Sequence, residues 1–360
     1  MRAAVLHKYK EAIQVEDVEI SGPKKGEVLI RVSATGLCHS DVNVFLGHTP
    51  AETPVVAGHE IAGVVEDIGD DVKDFRRGDK VVASFIQPCG RCRNCVSGRE
   101  NLCETFIANR LRGASLDGSY RLHLRNGTPL KAYMGGGFAE YAILPETALT
   151  KVPDELELKK AAVLGCAGLT AYGATVTTGR VEPGERVVVI GAGGVGLSIV
   201  QLLKSIGAGE IILIDVIDWK LEKGKELGAT TTINSLKTDV VNFFKGIGGA
   251  DMVVESAGRP ETIDLAMNLV KIGGRIVLVG IPPADASIGI RPATLIRRGI
   301  QILPNHGARP RTDLPRLVEM ARTGKYNPEA LITGEYSLEE LNEAVSALLN
   351  GRSLRTLIIP

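Results

Sequence analysis

Four cysteines lie close together at Cys89, Cys92, Cys95 and Cys103, in the pattern C-x2-C-x2-C-x7-C. Thiolates clustered in this way repel one another, and a tetrahedral dication removes that repulsion while it closes several small loops. The spacing therefore predicts a zinc ion with four protein ligands, and because no coordination position stays open, this zinc would be structural. An iron–sulfur cluster and ordinary surface thiols are the alternatives. The long last gap and the absence of a proline after Cys103 disfavour the cluster.

A glycine-rich pattern, G-x-G-x-x-G, follows the apolar segment Arg186–Ile190 and precedes a segment with helical periodicity. Gly191 allows a tight turn, Gly193 lets the backbone approach a pyrophosphate, and Gly196 allows close packing of the helix on the strand. The pyrophosphate would rest on the helix N-terminus, where free N–H groups and the dipole favour anions. This context predicts a dinucleotide site, and a glycine-rich turn without a ligand is the alternative. The predicted site comprises Gly191, Gly193, Gly194, Val195 and Gly196.

An acidic residue, Asp215, ends the next apolar segment, nineteen residues after Gly196. A carboxylate at this position can accept hydrogen bonds from both hydroxyls of an adenosine ribose, and it would repel a 2′-phosphate. The sequence therefore predicts NAD rather than NADP as the dinucleotide, and a solvated aspartate without a ligand is the alternative.

The composition of the chain excludes several classes of protein. Its 360 residues carry 42 basic and 42 acidic side chains, so no overall charge attracts it to nucleic acid or to anionic lipid. The charge-free run from Ala161 to Gly179 holds four glycines and four threonines, which favours a buried helix and loop over a membrane span. No targeting segment is recognisable at the N-terminus. We therefore expect a cytoplasmic protein with reduced cysteines and no nucleic-acid or membrane partner.

The pattern of apolar segments changes at about residue 150. The first part has short apolar segments separated by turns, which is typical of a mostly antiparallel β domain. The second part alternates buried strands with helices, as in a doubly wound parallel sheet of the Rossmann type, so the fold class is α/β. Predicted strands are Glu27–Val32, Ile61–Asp67, Lys80–Ala83, Phe138–Leu144, Arg186–Ile190, Ile211–Ile214, Met252–Val254, Arg275–Val279 and Arg355–Ile359. Predicted helices are Val195–Ile206, ended by Gly207, and two pieces between Asp313 and Leu349.

Three further residues, Cys38, His59 and Cys166, are the remaining candidates for metal ligands. No local spacing joins them, and a lone buried cysteine or histidine is more often an ordinary core residue. From the residues alone they are only soft ligands that the fold could bring together.

The order of all these motifs resembles a known family. The segments Cys38-His39-Ser40-Asp41, Gly58-His59-Glu60 and Ser353-Leu354-Arg355-Thr356, together with the four-cysteine knuckle, Cys166, the glycine pattern and Asp215, are similar to those of zinc-dependent alcohol dehydrogenases of the medium-chain dehydrogenase/reductase superfamily. The resemblance covers essentially the whole chain. It implies a GroES-like catalytic domain at 1–167, an NAD-binding Rossmann domain at 168–304, and a return to the catalytic domain at 305–360.

The resemblance also implies an active site. Cys38, His59 and Cys166 would hold a catalytic zinc whose fourth position stays open for water or substrate. Ser40 would take the proton of the alcohol and pass it to the ribose of the nicotinamide. Glu60 would lie behind the metal, as a partner of its ligands or as a transient ligand. The remaining implied contacts are Thr170 and Val195 with the nicotinamide, Lys220 with the adenosine ribose, His39 and Arg355 with the pyrophosphate, and Phe85 and Tyr133 with the substrate.

One position departs from the family pattern. Many relatives have a histidine three residues after the relay hydroxyl, where this chain has Asn43. Asparagine can form hydrogen bonds but cannot titrate, so the proton route beyond the ribose must differ.

The expected activity is transfer of hydride between an alcohol, or its aldehyde or ketone, and NAD, with two zinc ions per chain. A semialdehyde reductase, a glutathione-dependent formaldehyde dehydrogenase and a polyol dehydrogenase are alternatives on the same fold. The complete set of Cys38, His59 and Cys166 disfavours the polyol enzymes, and it also disfavours a sensor that lost its chemistry. Relatives imply a homodimer or a homotetramer.

Overall fold

The computed structural model describes residues 1–283 and 285–360, and it divides into two compact units. The first unit comprises Met1–Leu169, Arg309–Thr323 and Leu331–Pro360, and the second comprises Thr170–Ala308 and Gly324–Ala330. Each unit has its own sheets and its own core.

The strands and helices are numbered separately, each in the order of the sequence. The strands are β1 Arg2–Leu6, β2 Gln14–Ile20, β3 Glu27–Leu37, β4 Val55–Val56, β5 Glu60–Ile68, β6 Lys80–Ala83, β7 Leu122–Leu124, β8 Pro129–Ala132, β9 Tyr141–Pro145, β10 Leu149–Lys151, β11 Arg186–Ile190, β12 Glu210–Asp215, β13 Thr231–Asn234, β14 Ala250–Glu255, β15 Val270–Leu278, β16 Gln301–Pro304, β17 Ile332–Ser337 and β18 Arg355–Ile359. The α-helices are α1 His39–Phe45, α2 Arg93–Val96, α3 Glu104–Asn109, α4 Leu158–Ala161, α5 Ala167–Tyr172, α6 Gly194–Ile206, α7 Asp218–Leu227, α8 Val240–Ile247, α9 Pro260–Leu269, α10 Pro292–Arg298, α11 Pro310–Arg322 and α12 Leu341–Leu349. A π-helix spans Gly173–Thr178. Short 3-10 helices lie at Glu100–Leu102, Arg110–Arg112, Tyr133–Gly135, Glu146–Ala148, Ala162–Gly165 and Glu329–Leu331.

The first unit is built on a small barrel and a larger sheet. The barrel has the strand order β1-β2-β7-β8-β4, and the sheet has the order β10-β6-β5-β3-β18-β17, with β9 pairing on β3. Pairing is antiparallel except between β17 and β18 and between β4 and β8, so the prediction of a mostly antiparallel domain is confirmed. The predicted strand Phe138–Leu144 begins later, at Tyr141, because the carbonyl of Phe138 accepts the N–H of Ala4 in the barrel at 2.8 Å.

The larger sheet determines where the chemistry lies. In its register Gly36 of β3 lies opposite Glu60, the first residue of β5, and Leu357 of β18 lies opposite the same glycine. Cys38 follows the end of β3, and Arg355 begins β18. Distant parts of the sequence thus meet at one end of three adjacent strands.

The second unit contains a parallel sheet with the order β13-β12-β11-β14-β15-β16, counted over its described residues. This order reverses at β11, as in doubly wound sheets, and confirms the predicted Rossmann-type fold. The α6 helix follows β11 and ends at Gly207, whose φ of 91° is the left-handed conformation that glycine adopts most readily. The carboxyl ends of β11, β12 and β14 carry the glycine pattern, Asp215 and Glu255.

The tail of the chain is divided differently from the sequence-based expectation. Two helices, α11 and α12, are present as predicted, but β17 lies between them and pairs with β18. Residues 305–308 and Gly324–Ala330 are grouped with the second unit rather than with the first. In the latter segment the Tyr326 hydroxyl lies 2.9 Å from the Ser198 hydroxyl of α6, and the N–H of Asn327 donates to the Gln201 side chain at 2.8 Å.

In the part of the chain that the structure describes, no single helix has the length and apolar composition to cross a membrane, although a pair bent by 46°, Leu158–Gly165 with Ala167–Thr178, meets those two criteria jointly.

Candidate functional site

The structure brings Cys38, His59 and Cys166 together in the first unit, with Glu60 beside them. One ligand atom from each of these four side chains lies within 4.8 Å of all the others, and all four side chains are buried. We call Cys38, His59 and Cys166 the buried centre. It forms because the residues after β3, before β5 and before α5 meet at the same end of the sheet.

Asp41 holds the histidine of the buried centre in place. Its Oδ1 lies 2.9 Å from Nδ1 of His59 and accepts the N–H of Gly58, while its Oδ2 accepts the N–H of Cys38. Burial opposes protonation of His59, but the Asp41 carboxylate raises its pKa well above the usual range. Nε2 of His59 has no hydrogen-bond partner among the described residues, although it is fully buried. An imidazole held through Nδ1 with Nε2 free is arranged as a metal ligand is.

The two thiols of the buried centre shift each other's pKa in opposite directions. A hydrogen bond from the Cys166 thiol lowers the pKa of Cys38 well below the usual range, with further help from the charge of Arg355, although burial opposes the shift. The same hydrogen bond, together with burial, raises the pKa of Cys166. Nη2 of Arg355 lies 3.7 Å from the sulfur of Cys38. Soft sulfur donors and a neutral imidazole nitrogen are ligands that suit zinc.

Glu60 lies against the buried centre on the side of Arg355. Its Oε1 lies 3.1 Å from Nε of Arg355 and accepts the N–H of Ala167 at 3.2 Å. Burial raises the pKa of Glu60 to about 7, and the charge of Arg355 limits the shift. Gly36 makes room for this carboxyl group, because a Cβ there would overlap Oε2 of Glu60.

Three of the predicted residues surround the buried centre. The Ser40 hydroxyl lies 3.8 Å from the sulfur of Cys38, and the Phe85 ring makes an edge contact with the ring of His59, with centroids 6.1 Å apart. Tyr133 is buried and begins a turn in which Met134 has a φ of 49°, a conformation that costs energy for a non-glycine residue. Burial, and after it the charge of Asp41, raises the pKa of Tyr133, so its hydroxyl is neutral.

The four-cysteine knuckle at Cys89, Cys92, Cys95 and Cys103 forms a second donor set. The sulfur atoms of Cys92 and Cys103 are 4.0 Å apart. Backbone N–H groups of the same loop donate to the sulfurs: that of Cys92 to Cys89 at 3.3 Å, and that of Cys89 to Cys103 at 3.2 Å. Hydrogen bonds from Thr105 and from this backbone lower the pKa of Cys89 to about 6 against the effect of burial. Four converging sulfurs fit a tetrahedral dication.

An ion pair that the sequence analysis did not find holds the knuckle. Nε of Arg311 donates to Oε1 of buried Glu100 at 2.8 Å, and its backbone N–H donates to Oε2 at 3.1 Å. The two residues are 211 positions apart, so no local pattern could have indicated the pair. Asp41 was also missed as a partner of His59, although it stands in the Cys38–Asp41 motif.

In the second unit the glycine turn has the geometry that a dinucleotide requires. Gly191 has a φ of 100°, and a Cβ at Gly196 would overlap the carbonyl oxygen of Gly191. A Cβ at Gly193 would meet no atom within 4 Å, so the space beside this backbone is open to a ligand. Gly193 is also the N-cap of α6 and has no side chain to satisfy the free N–H groups of the first turn.

Asp215 is hydrogen-bonded to the backbone of the glycine turn. Its Oδ2 accepts the N–H of Ala192 at 2.6 Å, and its Oδ1 accepts the N–H groups of Val216 and Ile217. Burial lowers the pKa of Lys220, and the charge of Asp215 opposes that shift.

The other predicted cofactor residues are distributed over the two units. Thr170 is buried in the second unit, where its carbonyl accepts the side-chain amide of Asn305 at 3.3 Å, and Val195 is half-buried in the first turn of α6. His39 is exposed at the start of α1 in the first unit, which also contains Arg355.

A buried donor set with one free imidazole nitrogen, a four-thiol knuckle and a glycine turn at a sheet switch point define a zinc-binding, dinucleotide-dependent dehydrogenase. Comparison with known proteins identifies the family within this class. The sequence profile of the "Alcohol dehydrogenase GroES-like domain" matches residues 24–154, and that of the "Zinc-binding dehydrogenase" domain matches residues 194–323.

Relatives match over nearly their whole length. The chain is 35% identical to "Alcohol dehydrogenase class-3" of Cereibacter sphaeroides, with 99% of each chain covered. It is 34% identical to "S-(hydroxymethyl)glutathione dehydrogenase" of Paracoccus denitrificans, again with 99% of each covered. The crystal structure of benzyl alcohol dehydrogenase from Acinetobacter calcoaceticus superimposes with a TM-score of 0.94 at 32% identity, with 99% of this chain and 98% of that chain covered. This chain belongs to the zinc-dependent alcohol dehydrogenases of the medium-chain dehydrogenase/reductase superfamily, as predicted.

Its class of activity follows from the family. The protein is an NAD-dependent oxidoreductase that uses zinc and acts on small-molecule alcohols or aldehydes.

Proposed function

We propose that Cys38, His59 and Cys166 hold a catalytic zinc, and that the protein oxidises primary or secondary alcohols, or reduces the corresponding aldehydes or ketones, at this centre. The observation that carries the proposal is Nε2 of His59, which is buried beside two thiols and has no hydrogen-bond partner among the described residues. An orphaned buried nitrogen costs free energy unless a ligand compensates for it.

Zinc, when bound, supplies a Lewis acid that makes an alcohol proton easier to remove. Asp41 fixes the tautomer and the orientation of His59. Ser40 relays the proton of the alcohol: its oxygen accepts that proton while its own hydroxyl proton passes outward, and the distance of 3.8 Å between the Ser40 hydroxyl and the sulfur of Cys38 supports this role. Phe85 and Tyr133 form apolar walls that exclude water from the reacting atoms. Glu60 acts behind the metal ligands, where it neutralises Arg355.

Position 43 cannot carry the proton out of the site, because the asparagine there does not titrate. Asn43 is half-buried in α1, and its carbonyl accepts the N–H of Thr49. We assign the outward transfer to an ordered water near Asn43 or to exposed His48 on the following loop. His39 is the less favoured carrier, because the resemblance assigns it to the pyrophosphate.

The cofactor is NAD(H), bound with its pyrophosphate on Gly191–Gly196 and its adenosine ribose on Asp215. A 2′-phosphate about 4 Å from the Asp215 carboxylate would be repelled by roughly 4 kcal/mol at an effective dielectric of 20. Lys220 offsets part of this repulsion, whereas Lys223 is half-buried and is paired with Glu226 at 2.9 Å. We expect NAD to be preferred by about 10²-fold, or roughly 2.7 kcal/mol. The contacts of Thr170 and Val195 with the nicotinamide, of Lys220 with the ribose, and of His39 and Arg355 with the pyrophosphate stay predictions.

The knuckle at Cys89, Cys92, Cys95 and Cys103 holds a second, structural zinc in this proposal. Backbone N–H groups and the Glu100–Arg311 pair already order the loop, and the dication adds the closure that four like charges otherwise oppose. The homodimeric or homotetrameric state and the cytoplasmic location also stay predictions from the sequence.

The experiment is a hydride-transfer assay that follows NADH absorbance with NAD or NADP and a panel of alcohols. The panel contains a primary alkanol, a secondary alkanol, benzyl alcohol, the formaldehyde adduct of glutathione and a polyol; the reverse direction uses the aldehydes, including a semialdehyde. We expect the highest kcat/KM with NAD and one of the first three alcohols. Turnover of the glutathione adduct alone, or of the polyol or the semialdehyde alone, would replace the proposed substrate class. Better kcat/KM with NADP would contradict the role of Asp215.

A further inference from the structure

A buried acid, Glu255, occupies the carboxyl end of the parallel sheet in the second unit. It is the last residue of β14, it is fully buried, and it pairs with Ile190 of β11 on one side and with Leu278 of β15 on the other. Ile190 directly precedes the glycine turn. The side chain of Glu255 has no role in the chemistry described above, although it lies beside the segment expected to bind the dinucleotide.

One oxygen of the Glu255 carboxyl group organises the loop that follows β14. Oε1 accepts the N–H of Ala257, the N–H of Gly258 and the hydroxyl of Thr262, each at 2.8 Å. Three donors from three residues thus converge on one atom. This acceptor therefore ties the loop at 256–258 and the first turn of α9 to the end of β14.

Ser256 connects this loop to the glycine turn by hydrogen bonds. Its N–H and its hydroxyl donate to the carbonyl of Ile190 at 2.9 and 2.8 Å, and the hydroxyl lies 3.2 Å from the carbonyl of Gly191. A Cβ at Gly191 would lie 3.0 Å from the same hydroxyl. Asp215 holds the opposite side of the turn through Ala192. The turn is therefore held from both neighbouring strands.

The second oxygen of the carboxyl group has a different environment. Oε2 is buried without a hydrogen-bond partner among the described residues, and it faces Gly280, where a Cβ would lie 2.9 Å away. Burial raises the pKa of Glu255, and the hydrogen bonds to the carboxyl group oppose the shift. A half-satisfied buried acid is a costly way to fill a core position, which an apolar side chain would fill at lower cost. Because this free-energy cost gives the core nothing, it supports a functional role for the loop that Glu255 organises.

We propose that Glu255 is a positioning residue for dinucleotide binding, which acts through Ser256 to hold the Gly191 turn in its binding conformation. The inference rests on the proposed binding of NAD(H) by Gly191–Gly196. The turn needs such support because its backbone has to keep an N–H cradle in place before the ligand arrives.

The test is a titration of the zinc-loaded protein with NADH, followed by fluorescence, so that the readout is Kd and not turnover. Glu255→Ala removes the common acceptor, and we expect Kd to rise by at least 10-fold. Glu255→Gln keeps an oxygen that accepts the same three donors, and we expect Kd within about 3-fold of the wild type. Ser256→Ala removes the hydroxyl bonds to Ile190 and Gly191 but keeps the N–H bond to Ile190, and it should raise Kd by about 3- to 10-fold.

Asp251 provides a matched control at the opposite end of the same strand. Its Oδ2 accepts the N–H of Arg186 at 2.9 Å, and its other oxygen pairs with Lys271. Asp251→Ala should lower the unfolding temperature but leave the Kd for NADH within 2-fold of the wild type. An equal rise in Kd for Asp251→Ala and Glu255→Ala would show a general structural effect and overturn the inference.

Two further outcomes also have a defined meaning. If Glu255→Ala does not fold, Ser256→Ala decides, and a wild-type Kd in that variant overturns the inference. If the wild-type protein does not bind NADH at all, the proposed function fails, and that result is distinct from failure of the role of Glu255 alone.

Discussion

The two cysteine centres of the first unit differ in what surrounds their donor atoms. The sulfurs of the knuckle accept hydrogen bonds from the backbone of their own loop, and Cys89 and Cys92 are partly exposed. The donors of the buried centre are held by charged side chains that are themselves buried: Asp41, Glu60 and Arg355 are at most 3% exposed. One centre is closed by local backbone, and the other is assembled by the sheet.

This difference indicates how one chain can give zinc two roles. Four thiolates fill a tetrahedral shell, and a metal held there contributes to folding. In the proposed catalytic site, two thiols and one imidazole would leave one coordination position open for water or substrate. Variants of the two centres should therefore change different quantities, and turnover should fall most when the buried centre is altered.

The largest effect is expected from Cys38→Ser and from His59→Ala. Each removes a ligand from the open set, so turnover should fall on the order of 10³-fold or more, because Lewis-acid activation is lost. The Kd for NADH and the circular dichroism spectrum should stay at wild-type values, since the glycine turn lies in the second unit. Loss of NADH binding or of folded structure in both variants would show that the buried centre is structural.

The next effect is expected from Ser40→Ala. Loss of the hydroxyl that accepts the alcohol proton should lower kcat by about 10²-fold or more. Asn43→Ala is the matched control in the same helix and should cost little, whereas Asn43→His should raise the rate near neutral pH by adding a titratable group. The pH dependence of kcat measures all three. A loss of activity in Asn43→Ala as severe as in Ser40→Ala would make asparagine an essential relay member.

A smaller effect is expected from Asp41→Asn. Removal of the charge that orients His59 should weaken zinc retention at the buried centre by about 10- to 100-fold, as for other partners of ligating histidines. Competition with a chelator measures this. Asp313→Asn is the control: Asp313 is equally buried in the same unit and is paired with Arg309, and its variant should retain zinc normally. Equal zinc loss from both variants would contradict the role of Asp41.

The smallest effect on turnover is expected from Cys95→Ser. Loss of a knuckle ligand should lower the free energy of unfolding by about 3 kcal/mol, which lowers Tm by roughly 6–12 °C. The kcat/KM of the folded fraction should stay within about threefold of the wild type. Scanning calorimetry and the assay on the same sample provide both values. An unchanged Tm together with lost activity would reverse the roles assigned to the two centres.

The same comparison explains which features the sequence could predict. The knuckle and the glycine turn are local, so spacing alone indicates them. The buried centre depends on the register that places Glu60 opposite Gly36 and brings β18 beside β3, and no short spacing encodes that register. Only the resemblance to a family connected Cys38, His59 and Cys166. The Glu100–Arg311 pair and the strand β17 were missed because their partners are distant in the sequence or lie in a segment with helical texture.

The central claim is that one chain holds two zinc ions with separable roles. Elemental analysis of freshly purified, active protein tests it most directly, with Cys38→Ser analysed in parallel. We predict two zinc ions per wild-type chain, and one per chain in a folded, inactive Cys38→Ser protein that still binds NADH. One zinc ion or none in fully active wild-type protein would contradict the claim.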